Sequence, residues 1–465
     1  MHYVYEESES LDKRCYENFA LSPEILMEHA GMALAHAVKK KLTHHAKVLF
    51  VCGSGNNGAD GMVAARLLSS DFHVALFIPY ELKSELATLQ LKRAQQVGVV
   101  CVSEIEEADV YVDALFGSGL NRTLDTKSFD LINELNAKKG YKIACDIPSG
   151  LMRQTDLMTS IFKADETLTM GALKSALFHD FAKDFVGKIN VAPLGITRKI
   201  YEIPSDIFLL QKKDLKLPFR QIKNTNKGSF GHVAILRGEK EGACLLSAMA
   251  AFYFGAGLVS IIGTKIKRSP AYLMHSFTLP KNANVIVAGM GMEEAKDEQT
   301  LQASLLDNDL PLVIDASLCQ NPFIRTILKA QKPLVITPHP KEFSALLSLA
   351  CDITASVEKI QKDRFDYAKR FSTLFPHVVL VLKGANTLIV HQEKIFINTF
   401  GTPALSKGGS GDVLAGMIGS LIAQGYTLEE AAIHGSLAHT LSAKKLTCNN
   451  YALTPIDLCK GLKWL

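Results

Sequence analysis

Short apolar β-type runs, separated by longer helix-type stretches, recur along the whole 465-residue chain and limit its fold more than any single motif does. In the first half the runs include Val48–Cys52, His73–Ile78, Val110–Leu115, Lys142–Asp146 and Glu166–Met170. In the second half they include His232–Arg237, Leu258–Ile262, Val285–Ala288, Leu312–Asp315, Leu334–Thr337 and Val378–Leu382. Parallel strands covered on both faces need such unbroken apolar runs, and the intervening helices supply the crossovers. The pattern predicts an α/β chain whose ligands gather at the carboxyl ends of its strands. The length exceeds one ordinary core, so more than one domain is expected. Tyr201–Lys227 carries Pro204, Pro218 and many lysines without a clear apolar period, which places a boundary near residue 210 and domains at 1–210 and 211–465.

Composition removes several function classes. Lys and Arg total 51 against 47 Asp and Glu, with no dense basic patch, so nucleic acid is not the expected partner. The nine cysteines stand singly, form no CxxC pair, and Cys448 with Cys459 lacks a metal-like spacing. They read as the reduced thiols of an intracellular, cytoplasmic protein. Met1–Glu7 has no basic region followed by an apolar stretch, so no secretory signal is expected there. Gly242–Thr264 is uncharged and long enough to span a bilayer. Gly255-Ala256-Gly257 interrupts it before the β-like Leu258–Ile262, so a buried helix, a turn and a buried strand are expected instead, and no membrane partner.

Chemistry is densest at Lys407-Gly408-Gly409-Ser410-Gly411-Asp412, directly before an apolar, helix-like run. Glycines let a backbone approach a ligand closely, and a helix starting here adds unpaired N–H groups and its positive dipole end. Gly408, Gly409, Ser410 and Gly411 would form an anion hole suited to a transferring phosphoryl group. Asp412 would stand where it can take a proton from a hydroxyl facing that group. The bland alternative is a Gly-rich turn followed by an N-terminal acid.

A second centre is Gly53-Ser54-Gly55-Asn56-Asn57-Gly58-Ala59-Asp60-Gly61, between the first of those strands and a helix expected over Met62–Leu68. It contains GxGxxG, but the next strand ends Ile78-Pro79-Tyr80 without the acid a dinucleotide ribose needs. The paired asparagines and Asp60 are also more polar than phosphate approach requires. Asp113 ends a strand before Phe116-Gly117-Ser118-Gly119-Leu120, and Asp146 ends another before Ile147-Pro148-Ser149-Gly150. Parallel topology would bring these ends to one crevice, where Asn57, Asp113 and the Ser149 backbone offer oxygen to a hard cation. Strand-terminal acids capping helices are the plain alternative.

Taken together, Gly53–Gly61, Val112–Leu120 and Asp146–Leu151, with Leu26–Gly31 upstream, resemble the epimerase domain of the NAD(P)H-hydrate repair enzymes, the YjeF N-terminal domain. The resemblance spans about residues 10–205. It implies a Rossmann-like fold that interconverts the R and S forms of hydrated NADH and NADPH. By that pattern Asn57, Asp113 and Ser149 hold K⁺. Asn56, Asn57, Gly58, Ala59 and Asp60, with Gly117, Ser118, Gly119, Leu120, Asn121, Arg122, Thr123 and Asp146, line the hydrate site. Asp146 is the expected acid/base. Ala59 replaces a glycine usual in the motif, which a negative φ would tolerate.

In the second half, Thr337-Pro338-His339-Pro340 fixes His339 between prolines, and Lys383-Gly384-Ala385-Asn386-Thr387 follows a strand. The latter fits nucleotide phosphates or a plain hairpin turn. With Lys227–His232 and the Gly408–Asp412 stretch, this set resembles the ribokinase-like ADP-dependent NAD(P)H-hydrate dehydratase domain, over about residues 215–465. The resemblance implies that ADP phosphorylates the hydroxyl of the S hydrate, with Mg²⁺ accompanying the nucleotide, and that phosphate then leaves. Lys383, Gly384, Ala385, Asn386, Thr387 and Gly411 would touch ADP. Ala243, Gly291, His339 and Asp412 would face the hydrate. A homo-oligomer is the family expectation. The loops Arg237–Gly242 and Gly289–Met292, and Lys341, depart from the pattern. Three other readings remain on sequence grounds: a ribokinase-like kinase for a vitamin-precursor alcohol fused to a nucleotide-binding module, an NAD-dependent dehydrogenase, and a first domain serving as a non-enzymatic scaffold.

Overall fold

The computed structural model describes residues 1–42, 45–120, 123–152, 160–292, 298–446 and 449–465. The chain divides into one compact unit of residues 3–205 and another of residues 1–2 with 206–465.

In the first unit the strands are β1 (His2–Tyr5), β2 (Lys47–Cys52), β3 (His73–Phe77), β4 (Val100–Val102), β5 (Val110–Ala114), β6 (Tyr141–Cys145), β7 (Glu166–Met170), β8 (Leu173–Lys174) and β9 (Lys188–Ala192). The main sheet has the order β4-β3-β2-β5-β6-β7-β9, and every pair in it is parallel. β1 and β8 form a short parallel pair, Val4 opposite Leu173. The chain runs outward from β2 to β4 and then returns to lay β5 on the other side of β2. That reversal opens a crevice at the carboxyl ends of β2 and β5, where open α/β sheets bind ligands. The pleat explains the apolar runs: β5 is buried at all five positions and β2 at five of six.

The second unit contains β10 (Ile207–Leu209), β11 (His232–Leu236), β12 (Leu258–Ile262), β13 (Met274–Ser276), β14 (Val285–Ala288), β15 (Leu312–Ile314), β16 (Leu334–Ile336), β17 (Val378–Leu382), β18 (Thr387–His391) and β19 (Lys394–Asn398). They follow the order β13-β12-β11-β14-β15-β16-β17-β18-β19-β10. The sheet is parallel from β13 to β17, after which β18 and β19 pair antiparallel. The order reverses again between β11 and β14. The helix Ser410–Ala423 packs into the main apolar cluster, with Val413, Met417, Ile418 and Leu421 fully buried beside Val233 and Val287. Gly416 lets it lie against the helix Glu241–Tyr253, because a Cβ there would meet the Ser247 carbonyl oxygen at 2.0 Å. A side chain at Gly416 would lift the whole helix and displace its first turn.

Several expectations need correction. The helix expected to begin at Met62 begins at Asn56, because the polar Asn56-Asn57-Gly58-Ala59-Asp60 run forms its first turns instead of a loop. Strands expected to include Ile78, Leu115, Asp146, Arg237, Asp315 and Thr337 stop one residue earlier, at the point where polar loop chemistry starts. Tyr201–Lys227 is not without order: its Ile207–Leu209 run pairs in parallel with β19, from Ile207 opposite Ile395 to Leu209 opposite Ile397. Gly242–Thr264 folds as expected, into a helix to Tyr253 and then β12. Among the described residues no helix is long and apolar enough to cross a membrane.

Candidate active sites

At the β2/β5 crevice of the first unit lies a cavity of about 420 Å³, lined by Asn56, Asn57, Asp60, Gly117, Ser118, Gly119, Leu120 and Asp146, with Ser8, Asp12 and Met170 among its other walls. The loops that build it meet backbone to backbone. Gly53 permits this, since a Cβ there would sit 1.8 Å from the Leu115 carbonyl oxygen. Gly58 and Ala59, expected in the lining, are buried beneath it instead. A Cβ on Gly58 would meet the Gly53 carbonyl oxygen at 2.1 Å, so the close approach of these two segments requires glycine there. Ala59 sits inside the helix and is not among the residues with positive φ. Thr123 is exposed and outside the cavity wall. Asn121 and Arg122 lie outside the described residues.

Asp146 occupies the left-handed region at φ 70°, which turns the chain sharply after β6 and aims the carboxylate into the cavity. Its Oδ1 accepts from Lys174 Nζ at 2.6 Å and from the Met170 N–H at 3.1 Å, and its Oδ2 accepts from the Ser118 N–H at 3.0 Å. Burial works to raise its pKa, but the Lys174 charge and these donors outweigh it and hold the carboxyl below its usual value. Asp146 is therefore ionised at neutral pH. Lys174 and Asp12 were not legible in advance. Lys174 follows a strand end within Gly171-Ala172-Leu173-Lys174, and it is 1% exposed. Asp12 arrives from the helix Glu9–Phe19 and accepts from the Tyr201 hydroxyl at 2.7 Å. We predict that Lys174→Met raises the pKa of Asp146, so the acidic limb of any activity needing its carboxylate moves to higher pH. An unshifted pH–rate profile would show that Lys174 does not tune the group.

Asp113 lies under the same loops, 1% exposed. Its Oδ2 accepts from the Ser149 N–H at 2.7 Å, and its Oδ1 from the Ser149 hydroxyl at 2.6 Å and the Leu115 N–H at 3.2 Å. Burial pushes it up to about 6 despite those donors, and among the described residues no cationic side chain pairs with it. Close by, the Asn57 side chain sits 3.2 Å from where a Gly117 Cβ would be, and its Nδ2 is buried without a hydrogen-bond partner. The Ser149 carbonyl accepts from the Phe162 N–H at 2.9 Å, which leaves one lone pair. The Asp113 carboxylate, which lacks a counterion among the described residues, the Asn57 amide oxygen and the Ser149 carbonyl offer oxygen ligands of the kind that suit a weakly hydrated monovalent cation.

The second unit gathers its chemistry at the start of the helix Ser410–Ala423. Gly409 caps it at φ 92°, leaving the first-turn N–H groups to point out of the helix end. A Cβ on Gly411 would lie 3.1 Å from Lys383 Nζ and 3.5 Å from Asp315 Oδ2, so this helix end faces a charged cluster. Lys383 pairs with Asp315 at 2.7 Å and stands 3.7 Å from Glu342. Burial acts to lower Lys383, and the two carboxylates more than reverse that. Asp412 is pushed up to about 7, first by burial and then by Asp315 and Glu342, with Lys383 opposing them. That value suits a general base at neutral pH.

The remaining expected residues are distributed around this cluster. His339 caps the helix Pro340–Cys351: its Nδ1 accepts from the Glu342 N–H, and its Nε2 lies 3.0 Å from Glu342 Oε1. It reaches the site through Glu342 and Lys383. Lys383–Thr387 is the hairpin turn between β17 and β18, with Gly384 and Ala385 exposed and Asn386 and Thr387 buried. The fully buried Arg364 holds it by donating to the carbonyls of Leu382, Lys383 and Asn386. Ala243 and Gly291 meet, a Gly291 Cβ falling 3.1 Å from the Ala243 Cβ, and Gly291 has φ 64°. His439 lies 3.2 Å from the Ser410 hydroxyl, and burial lowers it to about 4, so it is neutral. Asp315, Glu342 and Arg364 were missed as site residues. Only Asp315 carried a signal, as a strand-terminal acid.

A doubly wound α/β unit with an acid-rich crevice and a second α/β unit with a carboxyl at a Gly-rich helix end define a two-part enzyme of nucleotide chemistry. Residues 23–176 match the family described as YjeF-related protein N-terminus, and residues 233–463 match the family NAD(P)H-hydrate dehydratase. The bifunctional NAD(P)H-hydrate repair enzyme of Helicobacter pylori is 43% identical across 99% of both chains. That of Escherichia coli is 30% identical over 90% of this chain and 85% of its own. Among solved structures, the ADP/ATP-dependent NAD(P)H-hydrate dehydratase of Bacillus subtilis, crystallised with ATP and Mg²⁺, is 25% identical, with TM-score 0.47 over 55% of this chain and 96% of its own. The chain belongs to the bifunctional NAD(P)H-hydrate repair enzymes, with an isomerase domain and a lyase domain in one polypeptide.

Proposed function

We propose that the first unit interconverts the R and S hydrates of NADH and NADPH, and that the second converts the S hydrate back to NAD(P)H at the expense of ADP. The observation that carries the second half is Asp412, a carboxyl poised near 7 beside an open helix N-terminus. Asp412 takes the proton of the hydrate hydroxyl while its oxygen bonds to the β-phosphorus of ADP and AMP departs. The first-turn backbone of Gly408–Gly411 and the Lys383 ammonium balance charge on the transferring group. Phosphate is a far better leaving group than hydroxide. Its departure, with loss of a proton from the neighbouring ring carbon, restores the double bond. The sum is hydrate plus ADP giving NAD(P)H, AMP and phosphate. Ala243, Gly291 and His339 border the hydrate side, and Lys383–Thr387 the nucleotide side. Mg²⁺ usually accompanies nucleotide phosphates with one or two carboxylates, and Asp315 and Glu342, the carboxylates beside Lys383, would be the residues to hold it and neutralise phosphate charge.

In the first unit Asp146 serves as the proton acceptor. Asn56, Asn57, Asp60 and Gly117–Leu120 hold the hydrate. Asn57, Asp113 and the Ser149 carbonyl would hold K⁺, which supplies the positive charge that the buried Asp113 lacks. Replacing K⁺ by Na⁺ should slow epimerisation while the dehydratase continues. Equal rates in the two salts would remove the cation from this site. The eight described cysteines are all free, which suits the reducing cytoplasm where reduced nicotinamides are used. A homo-oligomer remains an expectation carried by the family resemblance.

The deciding experiment incubates mixed R and S hydrated NADH with ADP, with ATP and with neither, following the near-ultraviolet absorbance of dihydronicotinamide. Full nucleotide-dependent recovery is expected. Recovery that stops at the S fraction would leave the first unit without its activity. A stable phosphoester in place of free phosphate would convert the second unit into a small-molecule kinase.

A further inference from the structure

Three carboxyls and one ammonium meet at the first cavity. Asp12, Asp60 and Asp146 line it, and Lys174 stands behind Asp146. The three acids differ in their partners. Asp146 accepts from Lys174 and from the N–H groups of Ser118 and Met170. Asp12 accepts from the Tyr201 hydroxyl. Among the described residues no donor reaches the carboxyl of Asp60, which opens on the cavity from the first turns of the helix Asn56–Leu68. One lysine cannot neutralise three carboxylates grouped in one cavity, and like charges held together keep a proton on at least one of them. The proton stays where no donor stabilises the anion. Consistently, burial and then the Asp146 and Asp12 charges push Asp60 well above the usual carboxylate range. Other ionisable groups nearby do not supply charge: burial raises Tyr16, Cys52 and Cys145, keeping them neutral, and Glu28 is paired with Arg66 and Arg93.

The substrate's chemistry calls for such an opposed pair. Hydration of an enamine double bond places the hydroxyl on the carbon bonded to nitrogen. Inverting that carbon by exchange needs an acid to help hydroxide leave and a base to activate the incoming water. Resting on the epimerase reading above, we propose that Asp60 is the general acid for the departing hydroxyl and Asp146 the base for the water that replaces it. Asp60 gives its proton to the hydroxyl and the C–O bond breaks, releasing water. The ring-nitrogen lone pair closes a C=N⁺ bond. Water adds to the other face, the nitrogen recovers its lone pair, and Asp146 takes the surplus proton. The two carboxyls have then exchanged protonation states, which is the arrangement for the reverse inversion. Solvent resets them.

Two measurements test this on the full-length protein with the purified R hydrate. In H₂¹⁸O, each inversion should place one ¹⁸O on the ring carbon, above the uncatalysed exchange. Asp60→Asn should lower kcat for epimerisation by about a hundredfold or more with the hydrate still bound. Asp60→Glu should recover part of that loss, and Asp12→Asn should cost less than Asp60→Asn. Inversion without label would mean the hydroxyl never leaves and would overturn the proposal. So would an Asp60→Asn enzyme within tenfold of wild type, or a larger loss in Asp12→Asn. Absence of inversion by the wild-type protein would instead remove the epimerase reading itself.

Discussion

Asp412→Asn should reduce ADP-dependent dehydration of the S hydrate by about a thousandfold, within the range that general bases contribute, and leave epimerisation at its wild-type rate. The substitution keeps the shape of the side chain and removes its basicity. Its structural cost is small: the helix Ser410–Ala423 is fixed by its buried apolar face, and a neutral residue in the first turn forfeits only about 0.3–1 kcal/mol of dipole interaction. That loss is offset, because Asp412 is destabilised as an anion by burial and by Asp315 and Glu342. A base must be deprotonated to act, so a pKa of about 7 means that wild-type dehydration falls as pH drops through 7 and levels off above it. kcat/KM reads this group in the free enzyme, and the residual rate of Asp412→Asn should lack that limb. The measurement is absorbance recovery on pure S hydrate with ADP across pH 5.5–8.5, beside an epimerisation assay on the same protein. A variant within tenfold of wild type would take the base role from Asp412. Joint loss of both activities in a folded protein would mean that the two units do not house separate sites.

What the sequence disclosed, and what it hid, divides along a physical line. Parallel strands need continuous apolar runs, so β2, β5, β11, β12, β14 and β17 were visible as such. The short strands β1, β8, β10 and β13 form against a neighbour's edge. The Asn56–Asp60 turn was legible as a site but not as helix, because the polarity that makes it useful also masks helical periodicity. Acids at strand ends, Asp113 and Asp146, and Asp412 after its Gly-rich stretch all emerged from local pattern. Their partners did not. Lys174 lies 28 residues beyond Asp146, Lys383 lies 68 beyond Asp315, and Asp12 meets Tyr201 across 189 residues. A lysine or aspartate carries no mark of its counter-charge until the sheet order brings them together. The same holds for Arg364, which is buried at 1% exposure and donates to carbonyls of the β17–β18 turn.

Asp146→Asn is the counterpart in the first unit, with an expected loss of epimerisation of about a thousandfold. The choice of asparagine follows from the backbone. Position 146 lies at φ 70°, where asparagine is among the few side chains tolerated, whereas alanine would add strain to lost chemistry. The amide oxygen can still accept from Lys174 and the Met170 N–H. The amide nitrogen then faces the Ser118 N–H, donor against donor, so the Gly117–Leu120 loop loses one anchor. Removing the negative charge also leaves Lys174 buried without its first partner, a loss that in an isolated buried pair costs about 3–5 kcal/mol. Here Asp12 and Asp60 stand in the same field, and ionisation of one of them beside Lys174 limits that cost. The variant should therefore remain folded with a modestly lowered Tm, bind the hydrate, and fail to invert it. Activity within tenfold of wild type would dismiss Asp146 as the base. Loss of binding and rate together would assign the carboxylate to holding Lys174 and the Ser118 loop in place. Retained binding with the rate gone leaves proton transfer as its function.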